Sequence, residues 1–311
     1  MEKSVLQLFP QEYRQFWQQV AKEQEYIQEI RLRVGKPAIV YRSGNEFFLG
    51  EMGNLVSSED AIRLHTVTHR ELEHILQHIC QYSPYAYEEE LRRGFLTVAG
   101  GHRIGVTGQV VQDGSGSVRT IKNISCLNIR VSHQIVGAAN KILPRLYQNQ
   151  TLKSILIISP PGCGKTTILR DLVRQISDGN DYSPGLTVGV VDERSELAGS
   201  YLGIAQNDLG MRTDVLDACP KREGMLMLLR SMSPQVIAVD EVGEQDEWEM
   251  LRRASACGCK LLATVHGDDL ADVERRFDID RDRLQKMFDL FLILGRQAGK
   301  CVVESILETG R

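Results

Sequence analysis

The sequence predicts an α/β fold in two parts: a smaller α+β domain over residues 1–140, then a domain built on a parallel sheet over residues 141–311. Three observations predict it. From residue 151 onward, short and nearly all-apolar strand candidates alternate with helical segments (Ile155–Ile158, Thr187–Asp192, Val236–Asp240, Leu261–Val265, Leu290–Leu294), which is the pattern of a parallel sheet covered on both faces. The first of these strands runs into a Pro/Gly turn followed by Lys-Thr, in Ser159-Pro-Pro-Gly-Cys-Gly-Lys-Thr-Thr167. Four of the five strands end on polar residues or a glycine loop, and such sheets bind ligands beyond their strand C-termini.

Composition sets the class. A chain of 311 residues has room for about two domains. With 25% charged and 42% hydrophobic residues it reads as a soluble globular protein. The net charge of −4 gives no nucleic-acid footprint. Residues 1–150 carry 17 Lys and Arg against 15 Asp and Glu, and neither half is biased enough to name a partner. Seven scattered cysteines form no disulfide framework, so a reducing cytosol is expected. The N-terminal stretch lacks a signal-peptide core, and no apolar run approaches the roughly 20 residues that span a bilayer.

The first part reads as follows. A helix is expected from Pro10 through Tyr26. Ile30–Arg42 alternates around a Val-Gly-Lys-Pro turn, as a β-hairpin does, and Glu46–Leu49 is a further strand. Residues 59–80 read as helical, with Leu72, Ile75, Leu76 and Ile79 on one face. His74 and His78 lie one turn apart there, but without a third ligand they read as a solvated face. Residues 92–131 are β-rich and punctuated by glycine. Gly137 to about Gln150 reads as a helix with a linker.

The glycine loop reads as a phosphate site. Gly164, Lys165 and Thr166 fit the end of the G-x-x-x-x-G-K-[ST] pattern, although Ser159 stands at its first glycine. Gly162 and Gly164 lack Cβ, so backbone N–H groups can approach an anion closely. The helix from about Lys165 to Ile176 aims its positive end at the same point. Ser159, Pro160, Pro161, Gly162, Cys163, Gly164, Lys165, Thr166 and Thr167 are therefore the expected ATP-binding residues, with Thr166 also suited to Mg²⁺. Some 75 residues on, Val236–Asp240 closes on Asp240-Glu241. In P-loop nucleotidases an Asp at this place holds Mg²⁺ and an adjacent Glu often polarises the attacking water. The strand Thr187–Asp192, lying between the two motifs, points to the RecA-like branch of P-loop ATPases. Glu193 or Asp192, at the end of that strand, is a rival for the water. Thr264 and His266 end the next strand, where they can sense a γ-phosphate. Transition-state charge calls for an arginine, with Arg212 and Arg230 favoured and Arg194, Arg103, Arg119 and Arg130 also open.

Several stretches together resemble one family. They are Lys165-Thr-Thr with Ile168–Asp171, Val191–Gly199, Arg212–Lys221, Leu229–Pro234 and Val239–Gly243, with Glu29–Pro37 and Gly100–Gly105 in the first part. Nearly the whole chain resembles the stage III sporulation protein AA family, which is similar to the ATPases of type II and IV secretion and pilus retraction. The resemblance implies a homo-oligomer, most simply a hexamer, with an N-terminal domain that swings over a RecA-like one. It places Asp192-Glu193 at an acidic box and Thr264–His266 at a histidine box. Asp240-Glu241 departs from the Gly-Glu of the secretion ATPases, so Glu241, Glu193 or both are expected as base. The implied setting is the cytoplasmic, mother-cell side of the forespore membrane. There the chain would energise a secretion-like channel and dock on membrane proteins of the same complex without spanning the membrane. Competing readings are a nucleic-acid motor, for which no basic run or added domain speaks, and a nucleotide-switched scaffold.

Overall fold

The structure, a computed structural model, describes residues 4–57, 63–81, 87–92, 94–297 and 300–309. The chain divides into two compact units. One holds the residues up to His133 together with Gly199–Gln206, and the other holds Gln134–Ala198 and the residues from Asn207 onward.

The first unit is an antiparallel sheet with helices. Its elements are α1 (Gln11–Lys22), β1 (Ile27–Arg33), β2 (Ile39–Arg42), β3 (Asn45–Leu49), β4 (Leu55–Val56), α2 (His69–Ile79), α3 (Glu88–Arg92), β5 (Phe95–Thr97), β6 (Arg103–Gln112) and β7 (Val118–Arg130). The strands lie in the order β4-β3-β2-β1-β7-β6-β5. The expected hairpin is β1–β2, with Arg31 opposite Ile39 and Gly35 at φ 72° in its turn. Ile30 and Leu32 of β1 are fully buried, as strand alternation requires, and an irregularity in register between Ile27 and Glu29 lets the buried Ile27 join the same core. Tyr201 is tied into this unit by the Gln81 side chain, which donates to its hydroxyl at 2.6 Å.

Three expectations for residues 1–150 differ from the structure. The helix expected from Pro10 through Tyr26 ends at Lys22, and Gln24–Tyr26 forms a 3₁₀ turn leading straight into β1. The helix expected over 59–80 begins at His69, because the Thr68 hydroxyl caps it by accepting the Glu71 N–H at 3.1 Å. Leu64 and Thr66 instead form β-bridges, and residues 58–62 lie outside the described residues. His74 and His78 contact the Glu12 carboxylate and the Gln7 carbonyl. The helix expected after Gly137 is a series of turns and a 3₁₀ turn at Leu143–Leu146, which carries Pro144 near its start. The Asp171 carboxylate accepts the N–H groups of Gly137 and Ala139 and so anchors these turns.

The second unit opens with a small hairpin, β8 (Tyr147–Gln148) and β9 (Thr151–Leu152). It continues through β10 (Ile155–Ser159), α4 (Lys165–Asp178), the hairpin β11 (Gly179–Asn180) with β12 (Ser183–Pro184), β13 (Val188–Asp192), β14 (Thr213–Asp217), α5 (Lys221–Ser231), β15 (Val236–Val242), α6 (Gln245–Ala256), β16 (Lys260–His266), α7 (Leu270–Phe277), α8 (Arg281–Met287), β17 (Leu290–Gln297) and β18 (Lys300–Glu308). The main sheet runs β14-β13-β15-β16-β10-β17-β18, with every pairing parallel except that of the edge strand β18. The five expected strands form its centre. The edge strands β14 and β18 went unanticipated because they are half polar and lack the all-apolar signature of a doubly covered strand.

Alternation along β10 sorts the core into two layers. Leu156 and Ile158 pack with Leu251, Leu284 and Phe288 on one face, while Ile155 and Ile157 pack with Leu169, Leu172 and Ile176 of α4 on the other. Each fully buried aliphatic side chain stabilises the fold by about 1.5–3 kcal/mol. Parallel pairing brings the C-termini of β10, β13, β15 and β16 to one end of this sheet.

Candidate active site

The loop between β10 and α4 has the backbone of an anion cradle. Gly162 and Gly164 take φ values of 73° and 83°, and Gly164 caps α4 with no side-chain bond to the first-turn N–H groups. Ser159 is fully buried at the end of β10, opposite His266, and its hydroxyl donates to the Pro160 carbonyl at 2.9 Å. It is not among the residues with positive φ, so the strand end does not need the glycine of the usual pattern. Lys165 begins α4 and is 4% exposed. Burial lowers its ammonium pKa, while Glu241 and Asp240 act against that fall.

A bulge aims the carboxylates. Between Val239 and Val242, β15 gains one residue on β16, so Asp240 and Glu241 leave the regular ladder. Glu241 takes φ 55°, a costly conformation for a residue with a side chain, and one that clusters at functional sites. Thr264 on β16 braces the bulge: its hydroxyl accepts the Glu241 N–H at 2.8 Å and donates to Asp240 Oδ1. Thr166 donates to Asp240 Oδ2 at 2.6 Å. Burial raises the Asp240 pKa, and the two threonine bonds oppose that rise.

A second chain of contacts runs alongside. Lys165 Nζ donates to His266 Nδ1 at 3.0 Å, which leaves Nε2 to carry the ring proton toward Glu241 Oε1 at 2.9 Å. Glu241 Oε2 accepts from Arg194 Nη1 at 3.0 Å. Asp192 behaves differently. It is 2% exposed, accepts the N–H groups of Glu196 and Ala198 at 2.8 and 2.7 Å, and so shapes the loop after β13. Burial pushes its carboxyl up to about 6, against those same backbone bonds.

Glu193 is held by a residue that sequence reading did not single out. Lys221 donates to Glu193 at 2.8 Å and to Glu247 at 3.1 Å, and Glu247 in turn accepts the Gly243 and Glu244 N–H groups at the start of α6. Lys221 is 8% exposed and opens α5, where a cation opposes the helix dipole. A lysine in such a position implies carboxylate partners, and that was the available signal. A cavity of about 10 Å³, one water in size, lies among Asp192, Glu193, Lys221, Asp240 and Glu241.

The structure thus brings together Lys165, Thr166, Asp240, Glu241, Thr264, His266 and Arg194, with Glu193 beside the same cavity. It does not bring Arg212 or Arg230 to them. Arg212 immediately precedes β14 and Arg230 lies in the last turn of α5, so both sit at the N-terminal edge of the sheet. Arg212 donates there to the Ser177 carbonyl at 2.9 Å, near the end of α4. Strand order along the chain places an arginine near a site only when it follows a strand, and these two precede one.

The donor set fits a hard cation with phosphate. A carboxylate and a hydroxyl in contact leave most of an octahedral shell to water and phosphate oxygens, as Mg²⁺ prefers. Among the described residues no cluster of three His, Cys, Asp or Glu forms a self-sufficient metal cage.

The fold is a mixed α/β architecture shared with secretion ATPases. The crystal structure of the pilus retraction motor PilT with bound ADP aligns over 100% of this chain and 84% of its own at TM-score 0.61 and 17% identity. The Yersinia pseudotuberculosis ATPase DotB aligns over 99% and 81% at TM-score 0.61 and 14% identity. Family membership rests on sequence: the model for sporulation stage III, protein AA matches residues 1–310, and the chain belongs to that family. Stage III sporulation protein AA of Bacillus subtilis (strain 168) is 40% identical over 282 residues, covering 91% of this chain and 87% of the relative.

Proposed function

We propose that this chain is a Mg²⁺-dependent RecA-like P-loop ATPase. It would work in endospore formation as a ring-forming motor that energises a channel between mother cell and forespore. The observation that carries the proposal is the pair of converging contact chains, Thr166–Asp240–Thr264 and Lys165–His266–Glu241, at the C-terminal edge of the sheet. Family membership supports the sporulation setting, and the shared fold with DotB and PilT supports a motor. Among the described residues no helix is long and apolar enough to cross a membrane, which agrees with docking on membrane proteins of the same complex.

In this reading the N–H groups of Gly162 to Thr166 seat the phosphates of ATP, and Lys165 turns from His266 to the γ-phosphate. Thr166 and Asp240 would hold Mg²⁺, which supplies charge neutralisation on the phosphate oxygens. Release of Lys165 frees His266 Nδ1, so phosphate arrival is transmitted through the imidazole to Glu241. Glu241 takes the proton of a water in the adjacent cavity, while Glu193 and Lys221 hold that cavity's other wall. Phosphate release by the purified protein with Mg²⁺ and ATP tests this: turnover is expected, and Lys165→Ala should abolish it. Undiminished turnover in that variant would sink the proposal. Light scattering with and without ATP checks the ring, since a swinging N-terminal domain and an arginine supplied in trans both need neighbours.

A further inference from the structure

The proposed reaction leaves one side chain of the glycine loop without a task. Cys163 stands between Gly162 and Gly164 and is 1% exposed. The hairpin of β17 and β18 reaches the same point. Its ladder sets Cys301 opposite Arg296, and both side chains approach the Gly162 carbonyl oxygen, Arg296 Nη2 at 3.4 Å and Cys301 Sγ at 3.4 Å. Cys301 is exposed, so one thiol of the neighbouring pair faces solvent and the other lies beneath the loop.

We propose that Cys163 and Cys301 form a thiol–disulfide exchange site, closed by a low-molecular-weight disulfide, whose closure shuts the loop to nucleotide. The exposed Cys301 attacks first as its thiolate. It bonds to one sulfur of the small disulfide and expels the other as a thiolate, which takes up the proton Cys301 gave up. Cys163 then attacks Cys301 Sγ, loses its own proton, and expels the second small thiol. Two protein thiols are oxidised and one small disulfide is reduced to two thiols. Burial and the hydrogen-bonding neighbour Cys163 raise the Cys301 thiol above its ordinary range, with Arg296 opposing. The loop therefore stays open in a reducing cytosol and closes under oxidation.

Closure acts through the backbone. The two glycines on either side of Cys163 hold φ values of 73° and 83°, and they set the N–H groups that face a phosphate. A covalent tie from the residue between them to β18 fixes that backbone to a strand and removes its freedom to close on an anion. This consequence rests on the nucleotide reading given above, whereas the exchange site itself does not.

The test uses the full chain with oxidised glutathione, peptide mapping by mass spectrometry and binding of a fluorescent ADP analogue. Mapping should find a Cys163–Cys301 link. ADP binding should weaken by about tenfold or more, and dithiothreitol should restore it. Cys301→Ser should bind ADP normally both before and after oxidation, and Cys257→Ser, which removes another exposed thiol, should respond as the parent does. Only a glutathione adduct on Cys301 with no link would overturn the exchange site. A linked protein that binds ADP as the reduced one does would overturn its effect on the loop. If the reduced protein fails to bind ADP at all, the nucleotide reading falls, and the mapped link still decides the exchange site.

Discussion

The two ends of the parallel sheet satisfy their polar groups in opposite ways. At the N-terminal end side chains serve the backbone. Asp289 accepts the Ser154 N–H at 2.8 Å, Ser154 Oγ accepts the Leu261 N–H at 3.1 Å, Gln235 accepts the Thr187 N–H at 3.0 Å, and Arg212 donates to the Ser177 carbonyl. At the C-terminal end side chains chiefly serve one another, through Thr166, Asp240, Thr264, Lys165, His266, Glu241 and Arg194, with Thr264 also accepting the Glu241 N–H. Side chain–side chain bonds are a small minority in folded proteins. Buried charges whose only partners are other side chains are a poor way to gain stability. The end of the sheet where they collect is the end to which the proposed function assigns the chemistry, and Asp192 differs from the others there in accepting backbone N–H groups.

The largest effect expected from this contrast separates the two glutamates. Removing a general base costs roughly 10²–10⁴ in rate. Glu241→Gln should therefore lower ATP turnover by that order while leaving nucleotide binding intact, since the amide still accepts from Arg194. Glu193→Gln should cost less than about tenfold, because Glu193 holds Lys221 and the cavity wall without meeting His266. Steady-state phosphate release, with nucleotide affinity measured separately, checks both. The reverse ranking would move the base to Glu193.

Asp192 sharpens the comparison from within the site. Its carboxyl rises from 3.8 to about 6 through burial, so the folded state favours the protonated form. As pH climbs from about 4 to 6 the folded protein must ionise a group it holds neutral, and stability falls over that window and stays lowered above it. A rise of that size corresponds to about 3 kcal/mol. Asp192→Asn cannot ionise and so loses this pH dependence. Its thermal midpoint should lie furthest below the parent's near pH 4, and the gap should narrow by pH 7. A gap independent of pH would show that Asp192 is ionised throughout.

Arg212 marks the other end of the sheet. Arg212→Ala removes its donors to the Ser177 carbonyl, a bond worth about 1 kcal/mol net. Stability to urea should drop by about that amount. Turnover per folded molecule should stay within about twofold of the parent, because the residue precedes its strand. A large loss of activity with unchanged stability would reverse the assignment of the two ends.

How much of this was legible in sequence follows from the same physics. Central strands announce themselves, because a strand covered on both faces must be apolar throughout, as Val188–Val191 and Val236–Val239 are. The glycine loop was legible because positive φ and close approach leave few residue choices. Edge strands were not: Thr213–Asp217 is half polar and only partly buried, and it reads as a loop. Nor was the bulge at Asp240 and Glu241, since one extra residue in a ladder leaves no compositional trace. The pairing of Lys221 with Glu193 and Glu247 spans 28 and 26 residues and depends on how α5 and α6 leave the sheet. Arginines were the weakest reading, because their long side chains and abundance make type alone uninformative.

The smallest expected effect concerns Ser159, the departure from the usual loop pattern. Among the described residues its hydroxyl bonds only to the Pro160 carbonyl, it is fully buried, and its backbone is extended strand. The glycine found there in other loops is thus not required by φ in this chain, and the turn is made by Gly162 and Gly164. Ser159→Gly removes one short side chain and adds backbone freedom in the unfolded state, a stability cost of about 0.5–1 kcal/mol. ADP affinity by titration should be unchanged within about twofold. A fall beyond that would mean that the Ser159–Pro160 bond sets the entry of the loop, and that the phosphate cradle begins at the strand end instead of at Gly162.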